Sequence, residues 1–366
     1  MRPSDIEILH CPRCHGSLTL TTLDVENGNV VNGVLRCPAC SKSYPILNHV
    51  CIFLTDAERD ALLSPEEKRL AAALCPGGEG LEGLPLDPRH THAGRNWAYQ
   101  FADAFPVDRR LLENIDGFWG ETAFFKFCGL DKGAMADKTL AVFCGGTGRE
   151  AWHLCRTGAQ RIIVLDLGGH IGCLPALLAE HLDKLVLIRC DVMRHPIKSG
   201  TCAVAICDHA LQHIPDYAGA YRAMAETTVS GGLISICVYS FENNWPMTHV
   251  VEPAKRVLHL LPVHALRVLA LVPAGLIWLY QTVLCGSVGL FFPRLSAKLP
   301  WNQLFSLWLR DGFGKIWEAC FDLLHAPVSY HFNQTEVTNL ATDTGLRIQS
   351  LEMVNKTMWT MVAEKV

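Results

Sequence analysis

The chain has 366 residues, of which 49% are hydrophobic and 19% are charged, and its formal net charge is −4. This length is sufficient for two or three domains, and the composition is more apolar than that of an average soluble protein. No run rich in Lys or Arg stands out, which argues against RNA as a substrate, although a local basic patch is compatible with this total charge.

Cysteine usage indicates the compartment. The first residues, MRPSDIEILHCP, contain no apolar signal-peptide region, so we expect a cytoplasmic protein whose sixteen cysteines stay reduced. Cysteines that stand singly in apolar segments are expected to be small buried hydrophobic residues, and they include Cys190, Cys202, Cys207 and Cys237.

Residues 1–56 contain two Cys-x-x-Cys pairs, Cys11 with Cys14 and Cys37 with Cys40. Four thiolates at this spacing predict a closed, tetrahedral and therefore structural zinc site, with reduced structural thiols or redox pairs as the alternatives. Alternating residues and Asn-Gly turns between the pairs predict β-strands. The unit is too short for a core of its own, so bound zinc would supply folding free energy.

Residues 57–117 are interpreted as a helical linker. The stretch from Asp56 to Ala73 has helical character, and Ser64-Pro65-Glu66-Glu67 is typical of a helix start. The Gly- and Pro-rich stretch 75–88 predicts a loop before the next segment.

Residues 118–240 predict a core of alternating strands and helices, with strands near 139–143, 161–165, 185–189, 203–207 and 232–238. Ligands bind outside the carboxyl ends of such parallel strands. The candidate site there is a glycine-rich turn that can approach a ligand closely, together with the acidic residues that end the next strands: Gly145, Gly146, Gly148, Asp166, Asp191 and Asp208. A carboxylate at a strand end is also a common N-cap of the next helix, and that alternative stays open.

Residues 241–325 interrupt the sheet. No charged residue occurs from 268 to 292, and basic residues flank this stretch. We favour an apolar helical lid with peripheral membrane contact through residues 256–298, and the alternatives are a membrane span and a buried core hairpin. Residues 326–366 predict a loop, a helix opened by Asn333 or Thr335, and strands that return to the sheet.

The order of these elements resembles the class I S-adenosylmethionine-dependent methyltransferases of the type 11-like group. In that group the fourth strand leads into a turn that is matched here by Leu211, His213, Ile214 and Asp216. The resemblance covers about 118–366, and it implies an α/β fold with a doubly wound, Rossmann-like sheet of seven strands. The tail KSYPILNHVCIFL of the first unit resembles the zinc-ribbon proteins that activate methyltransferases. The segment NWAYQFADAF resembles one that covers the cofactor in related enzymes, and an aromatic docking strip is the alternative.

The resemblance also implies roles for single residues, with S-adenosylmethionine as cofactor beside a structural zinc ion. Asp166 would hold the ribose and Asp191 the adenine amine, while the glycine turn would pass beside the methionine portion. The expected cofactor-binding set is Cys144, Gly145, Gly146, Gly148, Asp166, Leu167, Asp191, Val192, Asp208 and His209. The candidates for a general base or substrate contact are His213, His331 and Tyr330.

Together these features predict methyl transfer to a small or amphipathic apolar acceptor, such as a lipid, a quinone or a natural-product intermediate, with oxygen as the favoured acceptor atom. Val142 and Cys144 stand where related enzymes have an acid and the first glycine, which keeps open a scaffold with a degenerate cofactor pocket. The other alternative is an RNA methyltransferase with a zinc ribbon.

Overall fold

The computed structural model of the protein describes residues 1–75, 88–258 and 260–366. Most of the predicted Gly- and Pro-rich loop therefore lies outside the described residues. The strands β1 to β11 are, in chain order, Thr19–Glu26, Asn29–Arg36, Ser43–Leu47, Val50–Phe53, Thr139–Phe143, Arg161–Asp166, Leu185–Cys190, Cys202–Asp208, Thr228–Tyr239, Leu346–Val354 and Met358–Lys365.

All eleven strands form one sheet in the order β1-β2-β3-β4-β7-β6-β5-β8-β9-β11-β10. The strands β5 to β9 pair in parallel, and β11 inserts antiparallel between β9 and β10. Helices cover both faces of the parallel part, which is why β7 is buried at every position. The doubly wound α/β fold and the five core strands predicted from the sequence are thus confirmed.

The first unit extends this sheet and does not form a separate one. Strand β4 pairs in parallel with β7, from Val50 opposite Leu187 to Phe53 opposite Cys190. A second junction brings the backbone N–H of His10 to the carbonyl of Pro196 at 2.7 Å. The sequence suggested an independent ribbon because the partner of its last strand lies more than 130 residues further along the chain.

Four thiols of the first unit lie close together. The sulfur atoms of Cys11, Cys14, Cys37 and Cys40 all lie within 4.8 Å of one another, with Cys14 and Cys37 separated by 3.4 Å and Cys11 and Cys40 by 3.6 Å. A zinc ion with bonds of about 2.3 Å to four thiolates needs sulfur–sulfur distances of about 3.8 Å. The thiols are unoxidised and placed to close around a tetrahedral ion, so they fit the predicted zinc site.

The linker contains two short helices where the sequence suggested one. Thr55 caps the helix Asp56–Leu62, and Ser64 caps the helix Pro65–Leu74, each with a reciprocal capping box. The break falls before Pro65 because a proline disfavours helical backbone in the residue that precedes it. A third helix, Pro88–Ala98, continues directly into a π-helical turn, Tyr99–Ala104.

The remaining helices fill the gaps between the core strands or build the insertion after β9. Those of the core are Arg109–Glu113, Glu121–Cys128, Arg149–Leu154, Leu174–Leu177, Tyr217–Thr227 and Gln334–Thr342. Those of the insertion are Glu252–Leu258, Val263–Leu269, Leu271–Leu279, Gly286–Phe291, Pro293–Ser296, Asn302–Arg310 and Phe313–His325, with π-helical turns at Met247–Val251 and Tyr280–Cys285. Single 3-10 turns lie at Pro3–Ile8, Lys132–Met135, Gly169–Cys173, Ala179–Lys184, Val192–Arg194 and Leu211–His213.

The uncharged stretch of the insertion belongs to one continuous helical rod, Val263–Phe291. This rod is long and apolar enough to cross a membrane, and only 22% of its most apolar window is buried inside the protein. A buried core hairpin is therefore wrong. Among the described residues, the later helices Asn302–Arg310 and Phe313–His325 line a cleft at the carboxyl ends of the core strands and the rod does not, so the lid across 241–325 stays a prediction.

Replacing Cys14 with Ser should abolish zinc binding, because it removes one of the four ligands that close the site. Structural zinc sites contribute on the order of 10 kcal/mol to folding, so amide hydrogen exchange in residues 1–56 should rise by orders of magnitude. Zinc content and exchange are measured together on the full chain. Cys173→Ser is the matched control, since Cys173 is another exposed cysteine outside the ribbon. One retained equivalent of zinc in Cys14→Ser would contradict the assignment.

Candidate functional site

A cleft lies at the carboxyl ends of β5, β6, β7 and β8, where the sequence placed the candidate residues. Its volume is about 260 Å³. Ligand pockets are commonly about 300–1,000 Å³, so the cleft lies near the lower end of the usual range.

The floor of the cleft is the bend that follows β5. Gly148 has φ +76° and forms the N-cap of the helix Arg149–Leu154. A Cβ on Gly146 would lie 1.8 Å from Nε2 of His170 and 2.7 Å from Oδ2 of Asp166, so only glycine fits there. Cys144 has φ +59°, a left-handed conformation that costs a non-glycine residue about 1 kcal/mol. The departure that the sequence revealed is therefore a point of real backbone strain.

Asp166 is the last residue of β6, and Asp191 comes directly after β7. Each accepts a hydrogen bond from a nearby backbone N–H, as a cap does, and each also lines the cleft, as a ligand-binding residue would. One carboxylate oxygen of Asp166 accepts a hydrogen bond from the N–H of Gly168 at 2.7 Å, while the other faces Gly146. Asp191 likewise caps the next turn through the N–H of Met193 at 3.0 Å. Both carboxylates nevertheless line the cleft, as do Leu167 and Val192 beside them.

Asp208 lies between Arg149 and His209. Its carboxylate is 3.0 Å from Nη1 of Arg149 and 2.5 Å from Nδ1 of His209. Burial opposes ionisation, but His209 and Arg149 outweigh it and hold the pKa of Asp208 below its usual range. The carboxylate of Asp208 orients the side chains of Arg149 and His209, so these three residues would face a ligand as one group.

Arg149 is a site residue that the sequence analysis missed. Its side chain lines the cleft and is only 3% exposed, yet Nε and Nη2 have no hydrogen-bond partner among the described residues. Unpaired buried guanidinium N–H groups are costly unless an anion completes them. Its position directly after the last glycine of the bend was the available signal, since anions bind where a helix begins.

The three candidates for chemistry separate in the structure. His213 and His331 line the cleft, whereas Tyr330 packs against Tyr217 and donates its hydroxyl to the carbonyl of Pro215 at 3.3 Å. Tyr330 is thus not brought together with the other two. The ring of His213 faces the carbonyl of Val328 through Nδ1 at 2.8 Å, and Nε2 has no partner among the described residues.

Burial lowers the pKa of His213 to about 3, so its imidazole is neutral at physiological pH. A neutral ring that donates from Nδ1 to a carbonyl keeps its lone pair on Nε2. That lone pair is buried in the wall of the cleft, where a donor group of a bound molecule would satisfy it. Burial also lowers the pKa of His331, to about 4.

Aromatic side chains form the rest of the wall. Trp97 and Phe101, from the helix and π-turn before the core, line the cleft together with Trp301, Phe305 and Trp308 from the insertion. The ring of Trp97 lies 5.2 Å from that of His213. This placement favours the covering role of the NWAYQFADAF segment over that of a docking strip.

A pair of acids on the helix Phe313–His325 also lines the cleft and was not among the predicted site residues. The amide of Gln100 donates to both, at 2.6 Å to Glu318 and 3.0 Å to Asp322. Burial, reinforced by the neighbouring Glu318, raises the pKa of Asp322 to about 7. The i, i+4 spacing of these acids on an amphipathic helix was visible in the sequence, but nothing there showed which cavity the helix would face.

These residues fit the predicted S-adenosylmethionine. A glycine at the point of closest approach, carboxylates at the ends of two adjacent strands and an unsatisfied arginine provide partners for the hydroxyl, amine and carboxylate groups of such a molecule. The carboxylate of Asp166 faces the bend at Gly146. The ring of His170 fills part of the space between them.

Residues 6–48 match the family model described as Trm112p-like protein. No curated protein sequence matches the chain.

Three solved structures among those that resemble the chain illustrate its fold. The pyocyanin biosynthetic protein PhzM is 12% identical, with 67% of this chain and 54% of that chain covered and a TM-score of 0.39, so the match spans about half of that protein. A chain from the complex between the Haloferax volcanii Trm112 methyltransferase activator and a candidate methyltransferase is 10% identical, with 77% of this chain and 99% of that chain covered and a TM-score of 0.42. Geranyl diphosphate C-methyltransferase from Streptomyces coelicolor A3(2) is 13% identical, with 77% of this chain and 100% of that chain covered and a TM-score of 0.45. At these identities the likeness concerns the fold alone.

The strand order and the glycine bend place the cleft at the carboxyl edge of a doubly wound α/β sheet. In this protein that sheet is continuous with the segment that matches the Trm112p-like model.

Replacing Asp166 with Asn should weaken the binding of S-adenosylhomocysteine by about ten- to a hundredfold, the range expected when charge-assisted hydrogen bonds are lost. Isothermal titration calorimetry measures the affinity. Asp216→Asn is the matched control, because Asp216 also accepts a hydrogen bond from a nearby backbone N–H, that of Gly219 at 2.8 Å, but lies outside the cleft. Equal affinities for the two variants would contradict a ligand role for Asp166.

Proposed function

We propose that the protein transfers a methyl group from S-adenosylmethionine to a hydroxyl group of an amphipathic, largely apolar acceptor. The observation that carries this proposal is the composition of the cleft: polar partners cluster around the glycine bend, and the facing wall is aromatic. A cofactor would use the polar half, which leaves the apolar half for the acceptor.

On the cofactor side, each role is an inference from position. Asp166 binds the ribose hydroxyls through the oxygen that faces Gly146, and Asp191 accepts from the adenine amine with Leu167 and Val192 against the ring. Arg149 binds the carboxylate of the methionine portion through the nitrogens that lack a partner among the described residues. The cofactor would supply a methyl group on a sulfonium sulfur: the acceptor oxygen would form the new O–C bond as the C–S bond breaks and S-adenosylhomocysteine leaves.

On the acceptor side, the aromatic wall excludes water and His213 orients the reacting hydroxyl. The lone pair on Nε2 of His213 accepts its hydrogen bond, which holds the oxygen in place. Such a donor would also satisfy the buried nitrogen. A nitrogen-bearing acceptor could make the same bond, so the choice of oxygen rests on the chemistry expected from the sequence.

The proton of the acceptor needs a different group. His213, with a pKa of about 3, is too weak a base to keep a proton near neutral pH. Asp322 lines the same cleft, and its pKa of about 7 is close to the optimum for a general base at physiological pH. We therefore assign the proton to Asp322 and the hydrogen bond to His213.

The test is methyl transfer itself. The protein is incubated with methyl-labelled S-adenosylmethionine and either a panel of amphipathic phenols, quinols and prenyl alcohols in detergent, or total RNA. Label in an ether product of the panel is expected. Label in RNA would favour the RNA methyltransferase, and no binding of millimolar S-adenosylmethionine in calorimetry would favour the non-catalytic scaffold.

The rate of methyl transfer should rise as pH increases through about 7, because Asp322 must be ionised to accept a proton. Asp322→Asn should lower kcat at pH 8 by about 100-fold, because a general base usually contributes at least about that much. The rise with pH should also disappear. Asp311→Asn is the control, since Asp311 is a carboxylate whose pKa burial also raises but which lies outside the cleft. An unchanged profile in Asp322→Asn would refute the assignment.

A further inference from the structure

We propose that the exposed face of the rod Val263–Phe291 docks on the surface of a lipid bilayer that contains anionic lipids. The inference rests on the proposed function only in taking the acceptor to be apolar. It is carried by the burial and charge of the insertion, which neither the cleft nor the zinc site explains.

The rod buries one narrow stripe and exposes apolar side chains elsewhere. Its buried positions follow one another at intervals of four or seven residues, at Leu266, Ala270, Ala274, Gln281 and Cys285. The small alanines let the rod lie close to the helix Phe313–His325. The large apolar side chains that remain at least 38% exposed on this rod and the turn after it are Val268, Leu269, Leu271, Val272, Leu276, Trp278, Leu279, Val283, Leu284, Leu290, Phe291, Phe292 and Leu295.

Such a face is unusual for a surface that meets water. A surface helix of a soluble protein carries polar residues opposite its buried stripe, whereas a helix that is apolar all round is normally covered by protein or lipid. Continuous apolar patches of this kind mark sites of protein or membrane interaction. The rod therefore requires an occupant.

The charge of the insertion indicates which occupant. Residues 253–310 include six Lys or Arg and no Asp or Glu, although acidic residues exceed basic ones in the whole chain by 36 to 32. Arg256, Arg294 and Lys298 are exposed at the two ends of the rod. Basic residues beside an apolar face are attracted to anionic head groups.

The rod lies on the membrane in this arrangement and does not cross it. It contacts the body of the protein through Leu266 and Ala274 in the core cluster, and again through the hydrogen bond from Gln281 to Asn302 at 2.7 Å. A rod that crossed a bilayer would carry this stretch, with the protein packed on it, into a hydrocarbon core about 30 Å thick. The side of the rod away from the protein is the one that enters the lipid.

The rod is also continuous with the wall of the cleft. The ring of Tyr280 packs at 6.1 Å from that of Phe305, and its hydroxyl donates to the carbonyl of Pro300. Phe305 and Trp301 in turn line the cleft. Docking through the rod would place the apolar wall of the cleft beside the bilayer, which is where an amphipathic acceptor resides.

The test is vesicle flotation of the full chain, which needs neither cofactor nor acceptor and can therefore succeed or fail independently of methyl transfer. Vesicles of phosphatidylcholine with 30% phosphatidylglycerol are compared with vesicles of phosphatidylcholine alone. We expect binding to the anionic vesicles that is at least about tenfold stronger and falls as salt is raised.

Leu276→Glu and Leu284→Glu should each weaken binding at least about tenfold, and Arg294→Gln with Lys298→Gln should abolish the preference for anionic vesicles. Leu23→Glu, at an exposed leucine of the ribbon, is the matched control and should bind like the wild type. Circular dichroism confirms that each variant is folded. Wild-type protein that floats with neither vesicle would overturn the proposal. Wild-type protein that sediments as a dimer, dissociated by Leu276→Glu, would show that a second copy covers the rod.

Discussion

The close approach of the bend after β5 to the end of β6 is the constraint on which the site depends. Gly146 lies so near Asp166 and His170 that no side chain can be accommodated. This contact fixes where the carboxylate of Asp166 stands relative to the start of the helix Arg149–Leu154. The strained backbone of Cys144 just before it shows that the bend keeps its shape even where a glycine is missing.

The continuous sheet connects the zinc ribbon to this site through a short physical route. Strand β4 pairs with β7, and β7 ends at Cys190, directly before Asp191. The linker helices reinforce that edge, because Arg189, buried in β7, bonds both Glu67 and the carbonyl of Leu167. The ribbon is therefore part of the support of the cofactor side of the cleft, and its metal stabilises more than its own four strands.

Electrostatics divides the cleft into two halves with different tasks. Near the bend, the ion pair with Arg149 keeps Asp208 charged, and two nitrogens of Arg149 are buried without a hydrogen-bond partner among the described residues. Near the insertion, burial dominates, so that His213 stays neutral and Asp322 titrates near neutral pH. Groups with displaced pKa values gathered in one cleft are characteristic of sites that move protons.

The sequence by itself determined the local units: the cysteine pairs, the core strands with their glycine bend, and the acids at the strand ends. These are encoded by spacing and periodicity over a few residues, so the fold class could be predicted, together with the acidic residues that meet at one edge of the sheet. Only the tertiary structure decided that the ribbon joins β7, that Tyr330 turns away, and that Arg149 and Asp322 face the cleft. Such outcomes depend on contacts between residues far apart in the chain, and on which face of a helix meets the cavity, which no local pattern specifies.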